Sequence, residues 1–332
     1  MKMKSRTDFT NDYLKLAVLV LSFVATVYSL RNLSFPEYTR IQTHYTPDLT
    51  IPVGPYFYLD GWNFELSQPV LYHGLGDSIS NARAADIIFV GNSRVQLGIR
   101  EEFIVPLAEQ HGLKVFSIGS GHAESVGFAI DVIKKHELKP KVVVILAGAH
   151  AYSDRVSAVA KATLKMSRWE AWKLSKETAF SWNVRYRLHD FIPRIGLFGN
   201  RITSRYALYR SELTGWWKPA LEPHGTYKTS YKKEDENYER TLKYVSKVRT
   251  YLAGQGILLV TGVIPYRQTS YKHLAFLKEH LDIPFVHPGL ELETTDSSHL
   301  NLESAKIFTS AFWREFIKLP RVRKKLFPGG KH

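Results

Sequence analysis

A serine on a strand-to-helix turn is the first residue of this chain that is placed for chemistry. Four apolar residues, Ile87 to Val90, end at Gly91, which predicts a short buried strand running into a tight turn. Ser93 lies on that turn, and Val95 to Ala108 are expected to form the next helix. A hydroxyl held at a strand end and near a helix N-terminus is placed to act as a nucleophile. The alternative is that Ser93 only caps the helix, as serine often does.

An aspartate and a histidine near the C-terminus are candidates to activate this serine. The sequence Asp296-Ser-Ser-His299 stands just before an amphipathic helical stretch. On one loop, the carboxylate can fix the tautomer of the imidazole and stabilise its charged form, which makes the histidine a general base. Taken alone, the same spacing is also typical of a helix cap beside a surface histidine. The catalytic interpretation requires this loop to fold back onto Ser93.

Two segments after the following strands could hold an oxyanion. Gly119, in the sequence Ser117-Ile-Gly-Ser-Gly-His122, can bring a bare backbone amide close to a substrate oxygen. His150, in Ala147-Gly-Ala-His, follows the next strand and would face the same crevice. The alternatives are an ordinary turn around the glycine and hydrogen-bonded loop histidines at positions 122 and 150.

Short apolar strands alternate with helical stretches from residue 86 onwards, which predicts an α/β fold with a parallel sheet covered by helices on both faces. In such sheets, functional residues collect at the carboxyl ends of the strands. The predicted strands are Ile87 to Val90, Lys114 to Ile118, Lys141 to Leu146, Gly256 to Thr261 and Ile283 to Val286. The predicted helices are at about 100–111, 124–136, 234–254, 270–280 and 302–317.

Two regions depart from this alternation. Residues 31–85 are rich in proline and tyrosine and are expected to form a juxtamembrane linker and irregular loops that lead into the α/β domain of residues 86–332. Residues 152–233 are dense in tryptophan, lysine and arginine and are interpreted as an aromatic and basic insertion, helical around 158–180. This insertion is either a lid that completes the fold or a docking surface for a membrane, a membrane partner or an anionic glycan.

The N-terminus predicts a membrane anchor. Three basic residues, Lys2, Lys4 and Arg6, precede an apolar stretch, so residues 1–12 are expected in the cytoplasm and 13–30 in the membrane as a signal-anchor. The main domain would then be extracytoplasmic, either periplasmic or on the cell surface. A cleaved signal peptide has the same layout, although the small-residue pattern around Ser29 is a poor cleavage site.

Composition narrows the function classes. The 332 residues can bury a substantial core, and the formal net charge of +14 indicates an anionic neighbour. No zinc-ligand spacing, RNA-binding signature or basic helix leading into heptads accompanies that charge, so nucleic acid is not the expected partner. The chain has no cysteine, which excludes disulfides, thiolate metal sites and a cysteine nucleophile. No metal or cofactor is expected.

Together, these segments resemble the SGNH (GDSL-like) hydrolase superfamily, whose fold is a flavodoxin-like parallel sheet. Gly91-Asn-Ser93 is similar to its first block, Gly119 to its second and Asp296-Ser-Ser-His299 to its fifth. The resemblance implies Ser93 as nucleophile, His299 as base, Asp296 as the acid that orients it, and Ser93, Gly119 and His150 around the oxyanion. His150 stands where the family has the asparagine of Gly-x-Asn, so either His150 donates to the oxyanion or the backbone amides of Ser93 and Gly119 do so without it. Asn92 stands where the family usually has aspartate.

Within the superfamily, the chain looks most like the membrane-anchored branch of the DltD and AlgJ/AlgX-like proteins. The anchor, the Gly-Asn-Ser-Arg94 form and the ending Asp-x-x-His-Leu-Asn301 carry this likeness. The resemblance implies acyl transfer to a cell-envelope polysaccharide or polymer, or the reverse hydrolysis, together with a multispanning membrane acyltransferase. Asn92, Arg94, His122 and Asn301 are assigned to binding.

Two other function classes remain open at this point. The first is a non-catalytic assembly or scaffold protein that keeps the SGNH fold and binds an envelope polymer or the membrane acyltransferase, a role that the missing block-three asparagine favours. The second is a glycan-binding protein without acyl chemistry. The first predicts that Ser93 is not labelled by a fluorophosphonate probe, and the second predicts that Asp296→Asn and His299→Ala have no effect in a functional assay.

Overall fold

The computed structural model describes residues 15–22, 56–60, 67–121, 124–176, 207–219, 226–230, 238–267 and 269–329. The strands, numbered in chain order, are β1 (Tyr56–Asp60), β2 (Ile87–Gly91), β3 (Val115–Ser117), β4 (Val142–Leu146), β5 (Ala207–Ser211), β6 (Trp217–Pro219), β7 (Tyr227–Lys228), β8 (Leu258–Gly262), β9 (Phe285–Val286) and β10 (Glu293–Thr294). The α-helices are α1 (Ser67–His73), α2 (Ser78–Arg83), α3 (Ser93–Gly98), α4 (Glu101–Glu109), α5 (Val126–Lys135), α6 (Ala158–Lys165), α7 (Glu239–Gly254), α8 (Lys272–Leu281), α9 (Leu302–Phe316) and α10 (Pro320–Leu326). Residues 15–22 and 168–176 are also helical.

The central sheet of the described chain has five parallel strands in the order β3-β2-β4-β8-β9. This is the flavodoxin-like order, in which the first strand of the sheet, β2, lies between the second and the third. The chain therefore leaves β2 in one direction along the sheet and later returns on its other side. A crevice opens at such a switch point, beyond the carboxyl ends of the strands.

Both faces of the sheet are buried because every residue of β2, β3 and β4 is apolar, glycine or serine. On one face, Ile88, Val143 and Ile145 pack with α2, α5 and α7. On the other, Phe89 and Val144 pack with α3, α4, α9 and α10. Each large apolar side chain removed from water contributes about 1.5–3 kcal/mol. The two layers hold the strand ends, and the turns that follow them, in fixed positions.

Two small antiparallel sheets lie outside this core. The first has the order β1-β5-β6, and the second pairs β7 with β10. Strands β5, β6 and β7 come from the predicted insertion, 152–233. The turn after β5 packs on the central sheet, since the amide of Ser117, in β3, donates to the carbonyl of Thr214 at 2.8 Å. The segment 207–219 of the insertion is therefore attached to the edge of the sheet.

The predicted α/β class is confirmed, and each of the five predicted strands is present in the sheet. The expected helix from Val95 to Ala108 is instead the two helices α3 and α4, which are separated by extended backbone at Ile99 and Arg100. Gly98 is a poor helix former, and Glu101 and Glu102 favour a new helix start in the next turn.

The interval 31–85 was expected to be irregular, yet it contributes β1, α1 and α2. Its prolines indicated loops, but Pro69 lies in the first turn of α1, where its missing N–H leaves no intrahelical bond unmade. The proline content therefore predicts more irregular structure than this interval contains.

Of the predicted anchor, 13–30, the structure describes residues 15–22, which are helical and expose Leu16, Leu19 and Leu21. Within the described residues, no helix is both long enough and apolar enough to cross a bilayer.

Candidate active site

Ser93 is the first residue of α3, directly beyond the carboxyl end of β2. The helix cap is its neighbour Asn92, whose side-chain oxygen accepts a hydrogen bond from the amide of Arg94 at 3.1 Å. Because Asn92 satisfies that amide, the hydroxyl of Ser93 is not needed as a cap. The helix start leaves the Ser93 amide without a partner in the helix.

Gly91 allows the sharp exit from β2. A Cβ atom on it would lie 2.3 Å from Cγ2 of Val95 and 2.7 Å from the carbonyl oxygen of Leu146. No larger residue fits between the first turn of α3 and β4 without movement of both. The glycine therefore serves close packing at the turn that presents Ser93.

His299 reaches Ser93 from a loop 206 positions later in the chain. The hydroxyl oxygen of Ser93 and Nε2 of His299 are 2.8 Å apart. Nδ1 of the same imidazole is 2.7 Å from Oδ2 of Asp296. The three side chains form one continuous line of hydrogen bonds, the arrangement in which an imidazole takes a serine proton.

The Asp296–His299 loop is held by its own backbone. Oδ1 of Asp296 accepts from the amide of Ser298 at 3.0 Å and from the amide of His299 at 2.8 Å. Ser297 has a φ of 69°, a left-handed conformation that is uncommon for serine. Its carbonyl accepts from the amide of Arg267 at 3.1 Å, which ties the loop to the segment after β8. Backbone strain of this kind is found at sites where neighbouring structure fixes a required geometry.

The electrostatics of the loop favour a charged carboxylate. Burial by itself raises the pKa of Asp296, but hydrogen bonds from the His299 side chain, the charge of that ring, and the amides of His299 and Ser298 outweigh it. The net result is a pKa well below the usual range of aspartate. An ionised Asp296 can only accept hydrogen bonds, so Nδ1 of His299 is the donor of this pair, and in the neutral imidazole Nε2 is then the acceptor for Ser93.

No protein-family model, curated protein sequence or solved structure matches this chain.

Arg94 connects the turn of Ser93 to the Asp296–His299 loop. Its Nε donates to the hydroxyl oxygen of Ser298 at 3.1 Å, and its guanidinium carbon lies 3.7 Å from the centre of the Tyr266 ring. Burial lowers the pKa of Arg94, while Tyr266 and the charge of Asp296 oppose that shift. The sequence patterns assign no role to Ser298, which fills a variable position inside Asp296-Ser-Ser-His299, or to Tyr266, which belongs to no motif.

Gly119 lies on the other side of Ser93, in the turn after β3. The bridge between Asn92 and Ser120 continues the pairing of β2 and β3 into this turn. The Gly119 amide donates to the Ser117 hydroxyl at 3.3 Å, a long bond. It is thus a backbone donor near Ser93 that already has a weak partner.

Two fully buried side chains hold that turn. Gln96 Nε2 donates to the Gly119 carbonyl at 2.7 Å, and Arg210 donates to the same carbonyl at 2.9 Å and to the Ser117 carbonyl at 2.6 Å. With its carbonyls fixed in this way, the turn cannot rotate its amides freely. Arg210 comes from β5, and no sequence signal marks a residue in the insertion as a partner of this loop.

The remaining predicted site residues have varied positions. His150 is exposed and lies on a short 3₁₀ turn. Its ring lies close to Gly148, since a Cβ atom on that glycine would be 3.1 Å from the ring and 3.7 Å from the Tyr266 hydroxyl. Asn301 caps α9 by accepting from the amide of Ser304 at 2.9 Å. Asn92 and Asn301 therefore have structural capping roles. His122 lies outside the described residues.

Metal-binding geometry is absent from the part of the chain that the structure describes: no three histidine or carboxylate side chains there form a group that could hold an ion.

Proposed function

We propose that this protein is a serine acyl-transfer enzyme, an O-acyltransferase or esterase of the SGNH type. The observation that carries the proposal is the line of hydrogen bonds from Ser93 through His299 to Asp296, with distances of 2.8 and 2.7 Å. Its three members come from two segments far apart in the chain and meet at the switch point of a parallel sheet. Local capping cannot account for the contact between them.

In the proposed mechanism, the Ser93 oxygen attacks the carbonyl carbon of an acyl ester while its proton passes to Nε2 of His299. The ionised Asp296 stabilises the imidazolium that results. Collapse of the tetrahedral intermediate breaks the bond to the leaving oxygen, which takes the proton from His299. The products of this half-reaction are an alcohol and an acyl group on Ser93.

The negative oxygen of the intermediate requires nearby donors. The amide of Ser93, at the first position of α3, and that of Gly119 are proposed for this role, with His150 as the candidate third donor. To serve, the Gly119 amide must exchange its long bond with the Ser117 hydroxyl for a shorter one to the oxyanion. A charged acceptor favours that exchange because charge-assisted hydrogen bonds are roughly twice as strong as neutral ones.

The second half-reaction determines whether the enzyme is a transferase or an esterase. A hydroxyl group of an envelope glycan or polymer that attacks the acyl-Ser93 gives transfer, and water gives hydrolysis. In both, His299 takes the proton of the attacking hydroxyl and returns it to Ser93. The proposed location is extracytoplasmic, with residues 13–30 as the anchor and a multispanning acyltransferase as the membrane partner. The exposed leucines of helix 15–22 support this anchor.

Labelling of the full-length chain with a fluorophosphonate tests the proposal. The reagent should modify Ser93, as located by mass spectrometry, and Ser93→Ala should abolish labelling. Ser310→Ala is the matched control, because that serine lies on α9 and its hydroxyl donates to the carbonyl of Lys306. Unchanged labelling of the folded Ser93→Ala variant would show that another residue reacts.

The Gly119 amide already donates to the Ser117 hydroxyl, which favours a second candidate function. This candidate is a non-catalytic SGNH-fold scaffold that binds an envelope polymer or a membrane acyltransferase. This candidate predicts an intact fold in which Ser93 resists the probe. It also predicts that Ser93→Ala leaves acyl modification of the envelope polymer at the wild-type level.

A further inference from the structure

A pair of tryptophans projects from the surface far from Ser93 in sequence. Trp169 and Trp172 lie on the helix of residues 168–176, which we term the Trp helix, and their side chains are 65% and 40% exposed. Their rings stack, with centroids 4.7 Å apart and an interplanar angle of 18°. Single exposed apolar residues are common, but two large stacked aromatics form a contiguous apolar body, which marks an interaction site.

The orientation of the Trp helix is fixed. The Ser167 hydroxyl accepts from the amide of Glu170 at 3.1 Å, and a Glu170 carboxylate oxygen accepts from the amide of Ser167 at 2.7 Å, which is a capping box. The opposite side of the helix is packed, since Ala171 and Ser175 are fully buried. The tryptophans therefore face away from the protein because the inner face is already occupied.

The surroundings of the pair are basic. Lys161 and Lys165 on α6, which precedes the Trp helix in the chain, and Arg168 and Lys173 on the Trp helix itself are exposed, against one exposed acidic residue on that helix, Glu170. Residues 158–206 contain ten lysines and arginines against three acidic residues. The following segment, 177–206, itself has five arginines against two acidic residues, so its charge does not suit it to cover this face. The occupant with complementary charge is anionic.

We propose that the Trp helix docks on the surface of a bilayer that contains anionic lipid. Indole rings prefer the level of the headgroups, and lysines beside them reach the lipid phosphates while their stems remain in apolar surroundings. A stacked pair suits insertion into an interface better than it suits sugar binding, because the ring faces turned towards each other are no longer open to a sugar ring. The docking goes beyond the acyl chemistry and does not depend on it.

The absence of cysteine from the chain allows a direct test with the full-length protein. Arg168→Cys, carrying an environment-sensitive fluorophore, is reconstituted in vesicles of phosphatidylcholine alone or with phosphatidylglycerol. The matched control is Arg314→Cys on α9, which covers the opposite face of the sheet. Docking predicts a blue-shifted emission, quenched by nitroxide-labelled lipid, for the label at 168 in the anionic vesicles and a water-like emission for the label at 314.

Three further variants separate the contributions of the rings and the charges. Trp169→Ala with Trp172→Ala should return the label at 168 to water-like emission. Lys161→Gln and Lys165→Gln should each lower the docking constant roughly fivefold, the effect expected for one basic residue at an anionic surface. Reaction of Ser93 with the fluorophosphonate should be unchanged in all of them, which keeps this proposal separate from the proposed function.

Water-like emission from the label at 168 in anionic vesicles would overturn the proposal. So would an unchanged blue shift after removal of both tryptophans, or protection of the label by a soluble anionic polysaccharide in detergent while lipid has no effect. The last result would assign the surface to a glycan.

Discussion

Asp296→Asn tests the proposed chemistry at its most sensitive contact. The asparagine side chain keeps an oxygen for the amides of Ser298 and His299, but its NH₂ group is a donor and would face Nδ1 of His299, now 2.7 Å from a carboxylate oxygen. His299 must then carry its proton on Nε2 so that Nδ1 can accept. In that tautomer, Nε2 cannot take the proton of Ser93.

The expected loss is large for activity and small for stability. The same tautomer error in a serine protease triad lowers kcat by about 10⁴, which corresponds to roughly 5 kcal/mol of transition-state stabilisation. The Asp296 side chain is 54% exposed, so we expect the variant to lose less than about 1 kcal/mol of folding free energy. The assays are the rate constant of fluorophosphonate labelling, the rate of hydrolysis of an activated acetyl ester, and urea unfolding.

Asp282→Asn is the matched control. Asp282 ends α8 with a φ of 48°, a conformation that asparagine tolerates, and it forms an exposed ion pair with Arg321. We expect its labelling and hydrolysis rates to equal those of the wild type. Rates for Asp296→Asn within about threefold of the wild type, with the fold intact, would refute the role of Asp296, because correct tautomer placement is worth far more than threefold.

Three further predictions concern Gly91, Glu212 and Arg94. Gly91→Ala should destabilise the fold by about 1–3 kcal/mol in urea unfolding, because its Cβ would overlap its neighbours, whereas Gly254→Ala, with open space around the new Cβ, should not destabilise it. Burial raises the pKa of Glu212 to about 7, so the folded chain holds a proton that the unfolded chain releases above about pH 4.5. The contribution of Glu212 to the free energy of unfolding therefore falls as pH rises from about 4.5 to 7. Glutamine does not titrate, so the difference in unfolding free energy between Glu212→Gln and the wild type should shift in favour of the variant by up to about 3 kcal/mol between pH 4 and pH 8. Arg94→Lys should lower kcat for ester hydrolysis roughly tenfold with little change in KM, since lysine keeps the charge but loses the stacked guanidinium and the bond to the 298 hydroxyl. A wild-type kcat would show that Arg94 does not position the loop.

Local sequence patterns predicted the elements of the fold well. The strands are nearly continuous apolar runs bounded by glycine or charged residues. This pattern can be recognised without knowing which segments of the chain lie beside the strand. Helix boundaries were less predictable, since the break at Ile99 depends on weak preferences that tertiary packing can override. The proline content of 31–85 predicts loops and not the helices of 67–83, because the effect of a proline depends on which turn of a helix it occupies.

The assignment of Ser93 shows the limits of local reasoning most clearly. From the sequence around it, a serine at a helix start is more often a cap than a nucleophile, and only the position of Asn92 decides between the two. In the structure, Asn92 takes the cap and leaves the Ser93 hydroxyl for His299. Whether a side chain caps or reacts depends on backbone angles over two residues, which composition does not specify.

The sequence by itself determined the α/β class, the strands that build the sheet, and three residue types suited to acyl transfer. Only the tertiary structure decided that Asp296 and His299 come to Ser93 and that Arg210, from a separate segment, holds the turn of Gly119. The physical reason is that a strand or a helix is selected by short-range periodicity and burial. A contact between residues 206 positions apart depends instead on strand order and on how the layers pack. Sequences with the same pattern of strands and helices can adopt different strand orders.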